Sequence, residues 1–413
     1  MFQQQPIPPV LACLNFTGRQ STRERRITAC SRFTGAALHK SRVISRIICR
    51  MKFRLLLGSA CLCLLAACTT APVRTSAPQV PAPSTQVDAV IAEAWVSADK
   101  ASDELDSLAV WPTENGGTWL IATAKSSHSL VVYDAETGER LRTVGGPGKG
   151  PLQFSRPNGI AVFGDVLFVV ERDNHRVQAL QLPDFSPLGM IGEDVLRVPY
   201  GLWVHETGPE QLELLVTDSF MADFKTGTLP PMAELAQRVK RFSVDLDATG
   251  GLHAQYRGAF GDTSEAGALR MVESIAGDAA HDRLLIAEED RRVGSTLRDY
   301  TLDGLYRSHS LPVFDADAEG VALWACDADA GYWIAVDQLR PTVFRLYDRK
   351  NLELVKTFSG KVVANTDGQV LYAVGSPRFP AGALYALHDD KAVAAFDLRD
   401  LVKVLGLSGR CMQ

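Results

Sequence analysis

The amino-acid sequence predicts an all-β domain made of repeated small sheets, and three observations support this. Short runs rich in Val, Leu, Ile and aromatic residues alternate with turns, as in Leu130–Asp134, Ala135–Glu139 and Arg140–Val144. Units of three or four such runs recur about six times, at intervals of roughly 40 to 60 residues. Only the stretch 231–240 has apolar residues at helical spacing. This combination is typical of a β-propeller, for which we predict six blades.

Residues 51–67 have the form of an export signal. Lys52 and Arg54 supply positive charge, and Leu55–Leu65 is an apolar segment too short to span a membrane. The segment ends in Leu65-Ala66-Ala67-Cys68, which resembles a bacterial lipobox, so cleavage before Cys68 and lipidation of its sulfur are predicted. A plain secretory signal followed by a chance cysteine is the alternative.

The regions around this signal complete the predicted domain organisation. Residues 1–50 are rich in Arg and poor in acidic residues, as in a transit peptide, but a mis-assigned upstream start explains them more simply. Thr69, and not Asp, follows Cys68, which by resemblance to Gram-negative lipoproteins implies a lipid anchor in the outer membrane. Residues 68–87 form a tether of Pro, Ser, Thr and Ala, and 88–413 form the propeller.

The net charge and the number of cysteines argue against some classes of protein. Residues 1–68 hold 11 Lys and Arg and one Glu, so the remaining chain carries 32 basic and 47 acidic residues, a net charge of −15. This balance argues against nucleic-acid binding and suits carboxylate sites for Ca²⁺. Beyond Cys68 only Cys326 and Cys411 remain, which excludes a disulfide scaffold and leaves a single bridge between them open.

The sequence contains no compact catalytic motif, such as a nucleophile elbow, a His-Glu-x-x-His zinc motif or a phosphate-binding loop. In a propeller, however, the first strands of all blades converge on a central channel. Carboxylates that are far apart in sequence can therefore form one metal site. Candidate residues are expected near the starts and ends of strands.

Several segments resemble the β-propeller phytases, and they occur in the order of that family. Leu285–Asp290 is similar to the family's Tyr-Ile-Ala-Glu-Glu-Asp, and Asp317–Val321 to its Asp-Ile-Glu-Gly-Leu. The other similar segments are Asp106–Trp111, Ala122–Lys125, Leu130–Tyr133, Pro199–Leu202, Glu273–Asp278, Asn365–Gly368 and Phe379–Leu384. The resemblance covers residues 100–405.

The resemblance implies calcium-dependent hydrolysis of phosphomonoesters, with phytate or a similar phosphorylated small molecule as the substrate and several Ca²⁺ ions as cofactors. It implies that Tyr200 lies near the metals, that Lys125 binds a phosphate, and that Arg172 or Arg176 supplies a phosphate-binding arginine. We expect a monomer whose only link to the membrane is its lipid. The calcium ligands implied by the resemblance are Asp106, Glu273, Glu288, Glu319 and Asp367.

Three positions depart from the family pattern. Ser107 replaces a second Asp of the metal site, and Asp218 lies in a segment where the family has a Lys and a Glu that act on phosphate. Near Gln338, Leu339-Arg340-Pro341 replaces a small polar loop.

A second resemblance favours another function. Val144–Leu180 resembles an NHL repeat, with Asn174-His175-Arg176 in a turn between strands, so His175 is expected to be a turn residue and not a catalyst. Propellers of this type bind partners or small molecules. The alternative function is therefore a non-catalytic, ligand-binding propeller of the cell envelope.

Overall fold

The computed structural model describes residues 86–209, 211–246 and 251–412. The predicted upstream segment 1–50, the signal 51–67 and the tether as far as residue 85, including Cys68, lie outside the described residues. Among the residues that are described, no helix is both long and apolar enough to cross a membrane.

The described chain is a six-bladed β-propeller, which confirms the predicted fold. It starts with two short strands, β1 (Ala89–Val90) and β2 (Trp95–Val96), and continues with four-stranded antiparallel blades that follow one another in sequence. After these two strands, every blade has its innermost strand first in sequence and proceeds outward, with neighbouring strands mostly joined by short turns and a longer connection, 219–238, in the third blade.

The first three blades contain β3 to β14. Blade I comprises β3 (Leu105–Pro112), β4 (Thr118–Ala124), β5 (Ser129–Asp134) and β6 (Arg140–Val144). Blade II comprises β7 (Pro157–Phe163), β8 (Val166–Glu171), β9 (Arg176–Gln181) and β10 (Ser186–Ile191). Blade III comprises β11 (Pro199–Gly208), β12 (Gln211–Asp218), β13 (Val239–Leu246) and β14 (Leu252–Phe260).

The last three blades contain β15 to β25. Blade IV comprises β15 (Val272–Asp278), β16 (Arg283–Glu288), β17 (Thr296–Tyr300) and β18 (Tyr306–Ser310). Blade V comprises β19 (Ala318–Ala325), β20 (Gly331–Asp337), β21 (Val343–Asp348) and β22 (Leu354–Ser359). Blade VI comprises β23 (Gln369–Tyr372), β24 (Ala383–His388) and β25 (Ala392–Asp397).

Helical structure is sparse. Among the described residues one α-helix, α1 (Leu398–Leu405), follows blade VI, and short 3₁₀ helices cover Met232–Gln237, Ala279–His281 and Gly409–Met412. The helix predicted for 231–240 is therefore one 3₁₀ segment, and Val239 already pairs with Thr217 as a strand residue. The prediction was too long because strand pairing in blade III overrides the local spacing of apolar residues.

The hydrophobic core lies between the blades. Six clusters of buried apolar side chains occupy the described chain, one at each interface between neighbouring blades. Between blades V and VI, for example, Phe344 and Phe396 have ring centroids 5.6 Å apart, and Phe358 lies 4.7 Å from Phe344. Because every blade buries both faces against its neighbours, the ring is stable only when it is closed.

The N-terminal strands close this ring. β2 pairs antiparallel with β25 and supplies the fourth strand of blade VI, whereas β1 lies parallel to β22 at the outside of blade V. Trp95 of β2 is buried in the interface of blades VI and I, with its ring 5.9 Å from that of Tyr385. The closure is therefore held by one strand pairing and one large aromatic side chain.

The C-terminal segment packs against blades V and VI. Asp397 caps α1 by accepting the Arg399 backbone N–H at 2.8 Å, and Leu401 and Leu405 are buried against the core. Cys326 and Cys411 form a disulfide, so the bridge left open by the sequence is present. It ties the last turn of the chain to the hairpin between β19 and β20.

We expect Trp95→Ala to destabilise the protein by about 3–5 kcal/mol, because it leaves a cavity where the ring closes. Val90→Ala is the matched control on the same segment, since Val90 is 58% exposed, and its effect should stay below about 0.5 kcal/mol. Chemical denaturation would measure both values. Equal effects of the two substitutions would contradict this account of the closure.

Candidate functional site

The innermost strands carry a β-bulge near their first residue. In blades I to V the register shifts at equivalent positions, for example between Leu105 and Leu108 in β3 and between Val272 and Ile275 in β15. A bulge inserts an extra residue and redirects side chains locally. Here it places one polar and one small residue side by side at the channel.

The same pair of residue types recurs in all six blades. A polar residue is followed by Gly or Ser at the mouth of the central channel, and the small residues line the channel itself. The pairs, from blade I to blade VI, are Asp106-Ser107, Asn158-Gly159, Tyr200-Gly201, Glu273-Ser274, Glu319-Gly320 and Asp367-Gly368.

The small residues are required by a close approach between neighbouring innermost strands. A Cβ atom on Gly201 would lie 2.6 Å from the carbonyl oxygen of Glu273, and one on Gly159 would lie 2.6 Å from that of Tyr200. Blade VI meets blade I in the same way, since a Cβ on Gly368 would lie 2.4 Å from the Asp106 carbonyl oxygen. At these three contacts the backbones are packed together as tightly as glycine permits, whereas blades I and IV have Ser107 and Ser274 at the equivalent position.

A second group of carboxylates is structural. The second strands of blades II to V end in a buried acidic residue that accepts backbone N–H groups from the loop entering the innermost strand. Asp218 accepts from Val198 at 2.6 Å, and Glu288 accepts from Met271 at 3.2 Å. These four residues are Glu171, Asp218, Glu288 and Asp337.

Two of the residues that follow these carboxylates, Glu289 and Gln338, extend their side chains to the mouth of the channel. Glu289, like its counterparts Lys125 in blade I and Gln338 in blade V, donates its backbone N–H to the loop before the innermost strand. Side chains alternate along a strand, so Glu288 and Glu289 point in different directions. Glu289 thus joins the channel mouth, and Glu288 does not.

One half of the mouth is neutralised internally. The Nζ atom of Lys125 lies 3.1 Å from Asp106 Oδ1 and 3.1 Å from Asp367 Oδ2, and 3.9 Å from Glu104 Oε1. Gln338 donates its side-chain amide to Asp367 at 2.6 Å. Burial alone would lower the pKa of Lys125, but the two aspartates outweigh it and raise that pKa above its ordinary value.

The other half holds three carboxyl groups without a basic partner. Glu273, Glu289 and Glu319 each offer a carboxylate oxygen, and the three oxygens lie within 4.8 Å of one another. The buried Oε1 atom of Glu289 has no hydrogen-bond partner. Among the residues described, none of the three glutamates forms an ion pair with a basic side chain.

The protonation of this cluster reflects burial and like charge. Burial, followed by the charge of Asp106, raises the pKa of Glu273 to about 8. Burial and the neighbouring Glu273 raise the pKa values of Glu289 and Glu319 well above their ordinary range. Burial also raises the pKa of Asp367 to about 7, although Lys125 opposes this. Without a cation, the site therefore holds protons at neutral pH.

Tyr200 also belongs to the mouth. Its pKa is raised well above the ordinary value by burial and then by Glu273, so the hydroxyl group remains protonated. The structure therefore brings together Lys125, Tyr200 and four of the five predicted calcium ligands, namely Asp106, Glu273, Glu319 and Asp367. Glu288, the fifth, lies outside the cluster because it caps a loop.

The two candidate arginines occupy different environments. Arg172 is at the rim in the position equivalent to Lys125 and pairs with Asp173 at 2.8 Å, with a third of its side chain exposed. Arg176 is buried, pairs with Glu171 at 2.6 Å and donates to the carbonyl oxygen of Lys149 at 2.7 Å, so it holds a loop in place. His175 lies in the predicted turn, in a left-handed backbone conformation.

Sequence reasoning missed Glu289. A signal was present, because aligned second strands show that Glu288 corresponds to Asp218 and Asp337, each of which ends its strand. It also missed a hollow at the rim that adjoins Glu289 and carries the exposed side chains of Arg291 and Arg292. The hollow is lined by Gly227, Met271, Glu289, Asp290, Arg291, Arg292 and Asp317.

Comparison with known proteins supports the fold more than a function. Residues 154–180, in blade II, match the NHL repeat, which confirms the resemblance predicted for that blade. No curated protein matches the chain in sequence. The hydrazine synthase of Kuenenia stuttgartiensis is a similar solved structure, with 12% identity and a TM-score of 0.40 over 76% of this chain and 82% of that chain.

The raised pKa values predict how stability depends on pH without metal. A folded-state pKa of about 8 for Glu273, against an ordinary value of 4.5, means that the folded protein holds a proton that the unfolded chain has lost. In chelator, the melting temperature should fall by several degrees as the pH rises from 4.5 to 8. Thermal melts across this range would test it.

Glu273→Gln is the control for this pH dependence. It removes one titrating group from the cluster, so the melting temperature of the variant should depend less steeply on pH. Carboxylates with a lowered pKa, such as Asp278 beside Arg349, titrate below this window. A wild-type melting temperature that rises with pH in chelator would contradict the assigned burial of the glutamates.

Proposed function

We propose that this propeller is a calcium-dependent phosphomonoester hydrolase that acts on a small molecule carrying several phosphates, such as phytate. The observation that supports this most strongly is the uncompensated cluster of Glu273, Glu289 and Glu319 at a mouth whose rim carries arginines. The glutamates at the mouth can bind a divalent cation, and the arginines at the rim can bind the phosphates of an anionic substrate.

The three glutamates fit Ca²⁺ by their chemistry. Calcium is bound in proteins by carboxylate and carbonyl oxygens, and these three oxygens converge without a basic side chain between them. The unpartnered Oε1 of Glu289 is a further argument, because a buried oxygen without a partner is costly unless something else binds it. When bound, calcium would supply Lewis-acid chemistry and offset the charge of a phosphoryl group.

Tyr200 and Lys125 have distinct proposed roles at the mouth. Because Tyr200 keeps its proton, its hydroxyl group can donate a hydrogen bond to a phosphate oxygen. Lys125 offsets part of the charge of Asp106 and Asp367, so these two carboxylates repel the incoming anion less strongly. Lys125 would thereby assist binding without leaving its buried position.

The rim arginines are the proposed contacts for the remaining phosphates. Arg172, Arg291 and Arg292 each pair with an aspartate but are substantially exposed. In the pairs of Arg172 and Arg291 the aspartate is also partly exposed, and such a pair is worth little, so the guanidinium can exchange its aspartate for a phosphate at small cost. The partner of Arg292, Asp290, is buried, so the same exchange costs more there. Guanidinium groups bind phosphate oxygens with two parallel hydrogen bonds.

We further propose that the protein acts as a monomer held by lipid on Cys68 at the outer membrane of a Gram-negative cell. The lipobox-like sequence Leu65–Cys68 supports the anchor. The Cys326–Cys411 disulfide supports export, since such bonds persist in oxidising compartments.

Phosphate release from phytate by the purified protein, in Ca²⁺ and in chelator, tests the activity. We expect release only with Ca²⁺, and Glu289→Gln should lower the rate by roughly a hundredfold, because it removes a charge from the cation site. The melting temperature of this variant in chelator should not fall, since like-charge repulsion is relieved.

Glu288→Gln is the matched control one residue away. It weakens the cap on the loop before β15 and should cost about 1–3 kcal/mol of stability, while the remaining activity keeps its calcium dependence. A larger loss of calcium dependence in Glu288→Gln than in Glu289→Gln would contradict the assignment. A folded, calcium-binding protein that releases no phosphate would favour the ligand-binding alternative.

Membrane attachment is tested by Cys68→Ser. We expect the wild-type chain to partition into detergent and to carry a fatty acid, and the variant to do neither, because the acyl chains supply the apolar anchor. Metabolic labelling with a fatty acid measures this. Lipid labelling that persists in Cys68→Ser would contradict the predicted site.

A further inference from the structure

We infer that Lys125 is a built-in cation that closes Asp106 and Asp367 to metal, so that the channel mouth binds a single divalent ion, at Glu273, Glu289 and Glu319. The glutamate half of this inference rests on the proposed function. It departs from the family resemblance, which implies several ions and makes Asp106 and Asp367 ligands.

Every carboxylate oxygen of Asp106 and Asp367 already has a partner within the chain. Lys125 lies 3.1 Å from one oxygen of each. The second oxygen of Asp106 accepts the Ser107 hydroxyl at 2.9 Å, and the second oxygen of Asp367 accepts the Gln338 amide at 2.6 Å. A calcium ion would have to displace donors that are part of the chain.

The two halves of the mouth also differ in net charge. Around Lys125, the carboxylates Asp106, Asp367, Glu104 and Asp390 are offset by Lys125 and Arg156, which leaves a net charge of −2 when all are ionised. The three glutamates carry −3 once they have lost their protons, and none of them has a basic partner among the described residues. Ser107 contributes to this difference, because an aspartate at that position would add another negative charge beside Asp106. A divalent cation is therefore attracted more strongly to the glutamates.

The ion pair between Lys125 and Asp106 is buried. The Lys125 side chain is only 6% exposed, and that of Asp106 only 4%. If a metal displaced the ammonium, Lys125 would be left charged, buried and without its partners, which is strongly unfavourable. The ammonium group of Lys125 occupies the position that a second ion would need. Because it is part of the chain, it is held there without the entropy loss of binding a free ion.

Titration calorimetry of the purified full chain with calcium chloride would test the inference. We expect a stoichiometry of one for the wild type and none for Glu289→Gln. In Lys125→Met, two buried aspartates lose their counter-charge, and the stoichiometry should rise to two. Lys240→Met is the control, because Lys240 is also buried but bonds to Gln237, so its stoichiometry should remain one.

The outcomes separate this inference from the proposed function. Two or more ions in the wild type, with one retained in Glu289→Gln, would overturn the role of Lys125, and this test does not require Lys125→Met to fold. A wild type that binds no calcium would contradict the glutamate site. In that case a gain of one ion in Lys125→Met would still support the role of Lys125, and no gain would overturn it.

Discussion

The candidate site depends on how closely neighbouring innermost strands approach at one mouth of the channel. At Gly159, Gly201 and Gly368 a single added carbon would meet the backbone of the next blade. This contact fixes the position of the polar residue that precedes each small one. Six chain segments, spread over more than two hundred residues, thus deliver their side chains to one small volume.

Such convergence concentrates charge, and the molecule handles that charge differently on its two sides. On one side Lys125 lies between Asp106 and Asp367, so the carboxylates are stabilised within the chain. On the other side the glutamates are stabilised only by protons or by an added cation. A half-satisfied site of this kind leaves a free-energy penalty in the folded protein, which the proposed cation would remove.

The scaffold around the mouth is independent of this chemistry. Glu171, Asp218, Glu288 and Asp337 hold the loops that enter the innermost strands, and the apolar clusters between blades carry the stability. The closure by β2 and the disulfide to Cys411 act far from the mouth. The polar side chains of the mouth can therefore change without loss of the fold, whereas the glycines beside them and the carboxylates that hold the loops cannot.

The all-β class and the six units followed from the sequence, because alternating patterns and turns are local properties, whereas most residues of the mouth were suggested by the resemblance to the β-propeller phytases. The alignment of the second strands carries a signal that Glu289 and not Glu288 faces the channel, whereas the tertiary structure alone decided that Lys125 binds Asp106 and Asp367. Side-chain alternation explains the orientation of Glu289, because adjacent residues along a strand face opposite ways. Ring closure explains the ion pair of Lys125 with Asp367, because Asp367 lies 242 residues from Lys125 and meets it only when blade VI packs beside blade I.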